Sequence, residues 1–243
     1  GGIGNTTLIQ YIYNSSEVQE HFQVRVWICV SLNFNMYRLT QEIAKCIPKA
    51  EDEKSSMDGE PNNLDQLQKL IEKRLKNKRF LLVLDDMWKY GDEYEWKRLL
   101  LPFTKGQEKG NIVLVSTRFP EVAEMVTTTN KVIQLDGLKP AEFWIFFKSC
   151  VFGETNQPSE DSGLLRIGKQ IVKKLKGSPL AAKTVGRLLR NNLTPVHWTR
   201  VLESKEWESQ TGDHDIMPAL KLSYDYLSFP LQQCFAYCAL FPE

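Results

Sequence analysis

The chain begins with GGIGNTTL, a glycine-rich stretch that leads into a helical pattern. Glycines let backbone N–H groups turn towards a phosphate, and the positive end of a following helix favours an anion. Gly2 and Gly4 can form this turn. Thr6 can ligate Mg²⁺ through its hydroxyl, and Thr7 follows it in the helix. Asn5 stands where such loops carry a lysine, and the stretch alone is equally compatible with an ordinary helix cap.

A second stretch, FLLVLDDMW, places an acidic pair directly after a run of apolar residues. In parallel sheets, ligands bind at the carboxyl ends of the strands. Asp85 could therefore hold Mg²⁺, which takes few carboxylates and keeps several waters. Asp86 could orient a water or act as a catalytic base. The alternative is an acidic turn that only caps the strand.

Three further stretches contain candidate site residues. Arg118 ends VLVSTR, and its guanidinium could bind a γ-phosphate or form a surface salt bridge. Pro179, in KGSPLAAKT, begins a helix and could pack on an aromatic base or simply start that helix. In CFAYCALFPE, the helical spacing of the apolar residues favours core packing over metal binding.

The periodicity of the sequence predicts an α/β domain followed by helices. Strands are predicted at 24–31, 80–86, 111–118 and 132–135, because these runs are almost continuously apolar, as in strands buried on both faces. Helices are predicted between them at 6–14, 36–47, 64–77 and 119–126, and residues 48–63 read as an exposed loop. From residue 137 onwards only helices are predicted, at 140–152, 163–175, 180–190, 196–202, 216–226 and 231–240.

Composition excludes several classes of protein. Hydrophobic residues make up 42% of the 243 residues, which is enough for a packed core. The formal net charge of +1 gives no reason to expect a nucleic-acid partner. No apolar run is long enough to span a membrane, and no signal peptide is visible. The five cysteines are an odd number without a C-x-x-C pair, so we interpret them as reduced core residues of a cytoplasmic protein.

Together these stretches resemble, in order and spacing, the nucleotide-binding (NB-ARC) region of plant NBS-LRR disease-resistance proteins. Trp88 and the CFAYCALFP form resemble the coiled-coil (non-TIR) class. The resemblance implies a P-loop NTPase parallel sheet with helices on both faces at 1–136, a helical subdomain at 137–212 and the start of a winged-helix subdomain at 213–243. It also implies that Asp85 binds Mg²⁺, that Arg118 senses the γ-phosphate, and that Pro179 contacts adenine.

By the same resemblance, ADP would hold an intracellular immune switch closed, and exchange for ATP would open it. Its partners would be its own coiled-coil and leucine-rich-repeat regions, with oligomers possible on activation. The chain departs from the family at Asn5 and at Ser178, which replaces a leucine. It also resembles a fragment of the family's longer chain, because it contains neither the strand before the phosphate loop nor the family's Met-His-Asp motif and leucine-rich repeats. The missing strand predicts unpaired edges in the sheet.

Three functional hypotheses remain. The first is an ADP/ATP switch with slow or impaired hydrolysis, weakened by Asn5 and more impaired towards ATP than ADP. The second is a non-catalytic signalling or decoy module that has lost nucleotide control. The third, a generic P-loop kinase or transporter ATPase, fits the helical motifs poorly.

Overall fold

The structure, a computed structural model, describes most of the chain. The described residues are 2–30, 34–49, 61, 63–88, 93–104, 110–128, 132–153, 159, 162–209 and 216–241. Most of the loop predicted at 48–63 lies outside them. The chain forms two compact units: Asn5–Gln134, and Leu135–Glu243 together with Gly1–Gly4. The three-domain division expected from the resemblance stays a prediction.

The first unit is built on a three-stranded parallel sheet. Its strands are β1 (Val24–Cys29), β2 (Phe80–Met87) and β3 (Ile112–Thr117), in the order β1-β2-β3. Val24 pairs with Phe80, and Leu81 pairs with Ile112, so the two ladders run parallel as predicted. The carboxyl ends of all three strands therefore lie at one edge of the sheet.

Alternate residues of β2 enter two different cores, which explains its continuous apolar sequence. Phe80, Leu82 and Leu84 belong to one core cluster, while Leu81 and Val83 belong to another. The helices of this unit are α1 (Asn5–Tyr13), α2 (Ser16–His21), α3 (Met36–Cys46), α4 (Leu64–Leu75), α5 (Glu93–Thr104) and α6 (Pro120–Val126). Residues of α3, α4, α5 and α6 enter the larger cluster, whereas α1 contributes to the smaller one. Helices thus cover both faces of the sheet.

The second unit consists of helices joined by turns and loops, with no strand among its described residues. Its helices are α7 (Pro140–Phe152), α8 (Gly163–Lys174), α9 (Pro179–Arg190), α10 (Pro195–Leu202), α11 (Met217–Asp225) and α12 (Phe229–Cys238), with a 3₁₀ turn at Lys205–Ser209. One core cluster joins residues of α7 to α11 around the fully buried side chain of Trp198. None of the helices described in either unit is long and apolar enough to cross a membrane.

The strand predicted at 132–135 is wrong. Residues 132–139 form neither helix nor strand. Val132 and Ile133 are 53% and 83% exposed, and β3 is an edge strand with β2 as its only neighbour in the described sheet. An apolar segment cannot remain a strand without a neighbouring strand to satisfy its backbone N–H and C=O groups.

Other predictions also need correction. The helices α2 and α5 and the 3₁₀ turn were missed; α5 contains Pro102, a residue that usually argues against a helix interior. The predicted core role of CFAYCALFPE is wrong, because no residue of α12 is buried and Phe235 is 66% exposed. The cysteines are free, as predicted, but Cys150 is only partly buried and the other four are exposed, so they are not core residues.

Candidate functional site

The first turn of α1 meets the carboxyl end of β2 through one pair of side chains. The Thr6 hydroxyl lies 3.0 Å from Oδ2 and 3.2 Å from Oδ1 of Asp85, to which it donates. Asp85 is only 4% exposed, and it also accepts a hydrogen bond from the Ser116 hydroxyl at 2.5 Å. The two predicted Mg²⁺ ligands are thus adjacent oxygen groups. Thr7 follows Thr6 in the helix and is exposed.

The glycine-rich loop has the backbone conformation that its sequence predicts. Gly2 and Gly4 have φ values of +75° and +106°, in a region that L side chains rarely adopt. A Cβ on Gly4 would meet no described atom within 4 Å. Asn5 is the first residue of α1 and follows this turn directly. Positive φ at both glycines is the backbone conformation that a phosphate-binding turn requires, and the anion-binding role of this turn stays a prediction.

Gly2 makes its contacts with the start of α9, inside the same compact unit. Its carbonyl oxygen accepts hydrogen bonds from the Leu180 backbone N–H and the Ser178 hydroxyl, both at 3.2 Å. Pro179 is the first residue of α9, between these two. The proline therefore begins the helix as predicted, and its role towards adenine stays a prediction.

Asp86 and Arg118 form an ion pair with two hydrogen bonds. Arg118 Nε lies 3.1 Å from Oδ1 of Asp86, and Nη2 lies 3.2 Å from Oδ2. The indole N–H of Trp88 also donates to Oδ2, at 3.0 Å. The salt bridge that was the alternative for Arg118 is therefore present. The carboxylates of Asp85 and Asp86 have separate hydrogen-bond partners, although the two residues are sequence neighbours.

The carboxylates of Asp85 and Asp86 act on the Cys29 thiol at this end of the sheet. Partial burial raises the pKa of the Cys29 thiol, and the carboxylates of Asp85 and Asp86 raise it further. No group of three His, Cys, Asp or Glu side chains in the described part of the chain is placed to hold a metal alone. Thr6 and Asp85 fit Mg²⁺ better than metals that need a full protein cage, because Mg²⁺ completes its shell with water and phosphate oxygens.

Sequence reasoning missed Ser116 and the structural role of Trp88. Ser116 donates to Asp85 and accepts from the backbone N–H of Asp86 at 2.9 Å, so one hydroxyl positions both acidic residues. Polar residues at the end of a buried strand are the signal that could have identified Ser116. Trp88 and Asp86 are two residues apart in the sequence, and their side chains meet because the backbone changes direction locally.

The family model of the NB-ARC domain matches residues 1–157. Disease resistance protein RGA2 of Solanum bulbocastanum is 40% identical over 247 residues, covering all of this chain and 24% of the relative. Disease resistance RPP13-like protein 4 of Arabidopsis thaliana is 32% identical over 248 residues, covering all of this chain and 28% of the relative. The chain thus spans about a quarter of the length of these relatives.

NB-ARC domains are P-loop NTPases, so the predicted fold class is confirmed. The resemblance to plant disease-resistance proteins is confirmed as well, since the relatives carry that description. The family match begins at the glycine-rich loop and includes Thr6, the acidic pair and Arg118. The chain belongs to the NB-ARC domain family.

Proposed function

We propose that the full-length protein is a molecular switch that binds ADP or ATP together with Mg²⁺. The observation that carries this proposal is the hydrogen bond between Thr6 and Asp85, which joins the phosphate-loop helix to the end of β2. Thr6 and Asp85 would hold the ion, which neutralises charge on the phosphates when bound. The backbone N–H groups around Gly4 and at the start of α1 would bind the phosphates themselves.

Asn5 weakens this site without removing it. A hydrogen bond from a charged lysine to phosphate is worth about 1.5–3 kcal/mol, or about ten- to 150-fold in affinity. Asparagine is neutral and shorter, but its amide can donate one hydrogen bond to the nearer phosphate. The missing charge matters most near the terminal phosphates, so the loss should be greater for ATP than for ADP.

Hydrolysis by this site should be slow. Asp86 is the candidate for orienting the attacking water, but its two oxygens already accept three hydrogen bonds, from Arg118 and Trp88. A carboxylate has about four acceptor positions, so little of its capacity is left for a water. Slow turnover suits a switch, which must remain in one nucleotide state long enough to signal.

The names of the two relatives support a role in plant defence signalling. They are named disease resistance proteins. We therefore propose that the full-length protein is an intracellular immune receptor of the coiled-coil class, regulated by contacts with its own coiled-coil and leucine-rich-repeat regions. Oligomerisation on activation belongs to the same proposal.

The proposal is tested by nucleotide titration of the full-length protein with and without Mg²⁺. We expect weak but measurable ADP binding that Mg²⁺ strengthens, and we expect Asp85→Asn to abolish the strengthening, because a neutral amide is a poor Mg²⁺ ligand. Asp65→Asn is the matched control, since Asp65 is an exposed residue of the same unit that pairs with Arg98 at 3.7 Å. Equal Mg²⁺ dependence in all three proteins would contradict the assignment of Asp85.

A second candidate function is supported by Asn5 itself. A module that keeps the fold but has lost nucleotide control would tolerate a neutral residue at this position. It would show no binding of ADP or ATP at millimolar concentration, with or without a restored lysine. Binding by the lysine variant alone would instead mean that the pocket is intact and lacks only its charge.

A further inference from the structure

Three side chains at the carboxyl end of the sheet form one connected cluster, which we name the arginine clamp: Asp86, Trp88 and Arg118. Two charge-assisted hydrogen bonds join the guanidinium to the carboxylate, at 3.1 and 3.2 Å. The guanidinium carbon lies 4.8 Å from the centre of the Trp88 ring. The same indole donates to the carboxylate at 3.0 Å. Each member therefore contacts the other two.

The backbone holds the carboxylate of the clamp in place. Asp86 has φ of +55°, at the point where the pairing of β2 with β3 shifts register. Its N–H donates to the Ser116 hydroxyl at 2.9 Å. Aspartate and asparagine adopt this left-handed conformation more readily than other side chains. The carboxylate is therefore turned towards Arg118, while the preceding Asp85 binds Thr6.

The contacts of Arg118 matter because a γ-phosphate would need the same donors. The planar guanidinium can form a two-point contact with a carboxylate or with a phosphate, but the same N–H groups cannot serve both fully. We propose that Asp86 and Trp88 keep the Arg118 guanidinium bound to the Asp86 carboxylate, and that a terminal phosphate binds Arg118 only by displacing this carboxylate. This inference rests on the proposed nucleotide-binding function and specifies how that function discriminates ATP from ADP.

The clamp gives Asp86 a positioning role. It acts on the nucleotide through Arg118, and its acceptor positions are occupied by the other two members of the cluster. A catalytic base would instead need a free oxygen directed at the attacking water. The two roles differ in one measurable respect: the clamp changes the preference for ATP over ADP, whereas a base changes only the rate of hydrolysis.

The test uses the full-length protein in an Asn5→Lys background, so that both nucleotides bind tightly enough to compare. Asp86→Asn is the informative variant, since asparagine keeps the left-handed backbone and the size of the side chain while removing the charge. We expect it to raise the preference for ATP over ADP about two- to fivefold, the range for a half-exposed ion pair. Asp65→Asn is the control for loss of an exposed carboxylate and should leave the preference unchanged.

A double-mutant cycle with Arg118→Gln separates release of the arginine from simple charge repulsion. In the Arg118→Gln background, Asp86→Asn should leave the preference for ATP unchanged, because no guanidinium remains to be released. Trp88→Phe, which changes no charge, should raise the preference by less than Asp86→Asn, since it removes the indole donor and weakens the contact with the cation. Trp88→Phe also tests the clamp should Asp86→Asn fail to fold.

Three results would overturn the inference. An unchanged preference in Asp86→Asn and Trp88→Phe would mean that the clamp does not hold Arg118 back. An equal increase with and without Arg118 would assign the effect to repulsion alone. Loss of hydrolysis with an unchanged preference would make Asp86 the base. Failure of the Asn5→Lys protein to bind either nucleotide would remove the proposed function itself, and this result is distinct from the other three.

Discussion

At the scale of single residues, the two neighbouring acidic side chains of FLLVLDDMW have different surroundings. Asp85 is buried, and its carboxylate accepts hydrogen bonds from the hydroxyl groups of Thr6 and Ser116. Asp86 is partly exposed, and its carboxylate accepts hydrogen bonds from a guanidinium and an indole. On the proposed function, Thr6 and Asp85 would ligate the metal ion together, whereas Arg118 would exchange the Asp86 carboxylate for a phosphate.

Gly2 and Gly4 offer a matched pair of substitutions. Both have positive φ, so alanine at either position should cost about 1–2 kcal/mol of stability from backbone strain. A Cβ on Gly2 would in addition lie 2.8 Å from the Leu180 Cβ, whereas one on Gly4 meets open space. Gly2→Ala should therefore destabilise the protein more than Gly4→Ala in urea unfolding. Equal losses would show that the contact with Leu180 is absent in solution.

At the scale of elements, two helices of the second unit begin with serine caps that differ in one contact. The Ser162 hydroxyl accepts from the Leu164 N–H at 3.2 Å, and the Ser178 hydroxyl accepts from the Ala181 N–H at 3.3 Å. Ser178 alone also donates to the carbonyl oxygen of Gly2. The leucine expected here by family resemblance could form neither contact.

Alanine substitution of these serines should separate the cap from the additional contact. Loss of a serine cap costs about 1 kcal/mol, and loss of one further hydrogen bond costs about 0.5–1.5 kcal/mol. We therefore expect Ser178→Ala to lower the free energy of unfolding more than Ser162→Ala, while Ser178→Gly should keep much of the cap. Indistinguishable unfolding curves for the two alanine variants would rule out a contribution from the bond to Gly2.

The elements show which parts of the fold could be predicted from sequence. The strands β1 to β3 were predictable because they are buried on both faces and therefore continuously apolar. Most helices were predictable from apolar periodicity, as for Leu67 and Ile71 of α4. The segment 132–135 has the same apolar character as a strand, but its state depends on whether a neighbour is present to pair with it. No local pattern encodes that condition.

The site was predictable to the same extent. The sequence pointed to Thr6 because it follows the glycine turn at the start of α1, and to Asp85 because it lies near the carboxyl end of β2. The structure shows a hydrogen bond between their side chains, and their role as Mg²⁺ ligands stays a prediction. The arginine clamp was not predicted, because it depends on the left-handed backbone of Asp86 and on the register shift beside it. Both arise from tertiary packing of β2 against β3 and leave no periodic signal.

At the scale of the whole molecule, acidic and basic residues are nearly equal in number, so nucleotide binding would depend on groups close to the ligand. The chain carries 31 basic and 30 acidic residues, so its net charge provides no general attraction for an anion. On the proposed function, a nucleotide would then be bound by the glycine backbone, the helix end, Mg²⁺ and nearby side chains. We propose that these groups still bind nucleotide when asparagine replaces lysine.

Calorimetric titration of the natural full-length protein and of its Asn5→Lys variant with ADP and with ATP, in the presence of Mg²⁺, measures whether they do. We predict that ADP binds the natural form weakly but measurably, and that the lysine tightens ATP binding at least about tenfold. Absence of binding in both forms would contradict this proposal and favour the decoy function. Equal ATP affinity in the two forms would contradict it as well, since another cation would then already supply the missing charge.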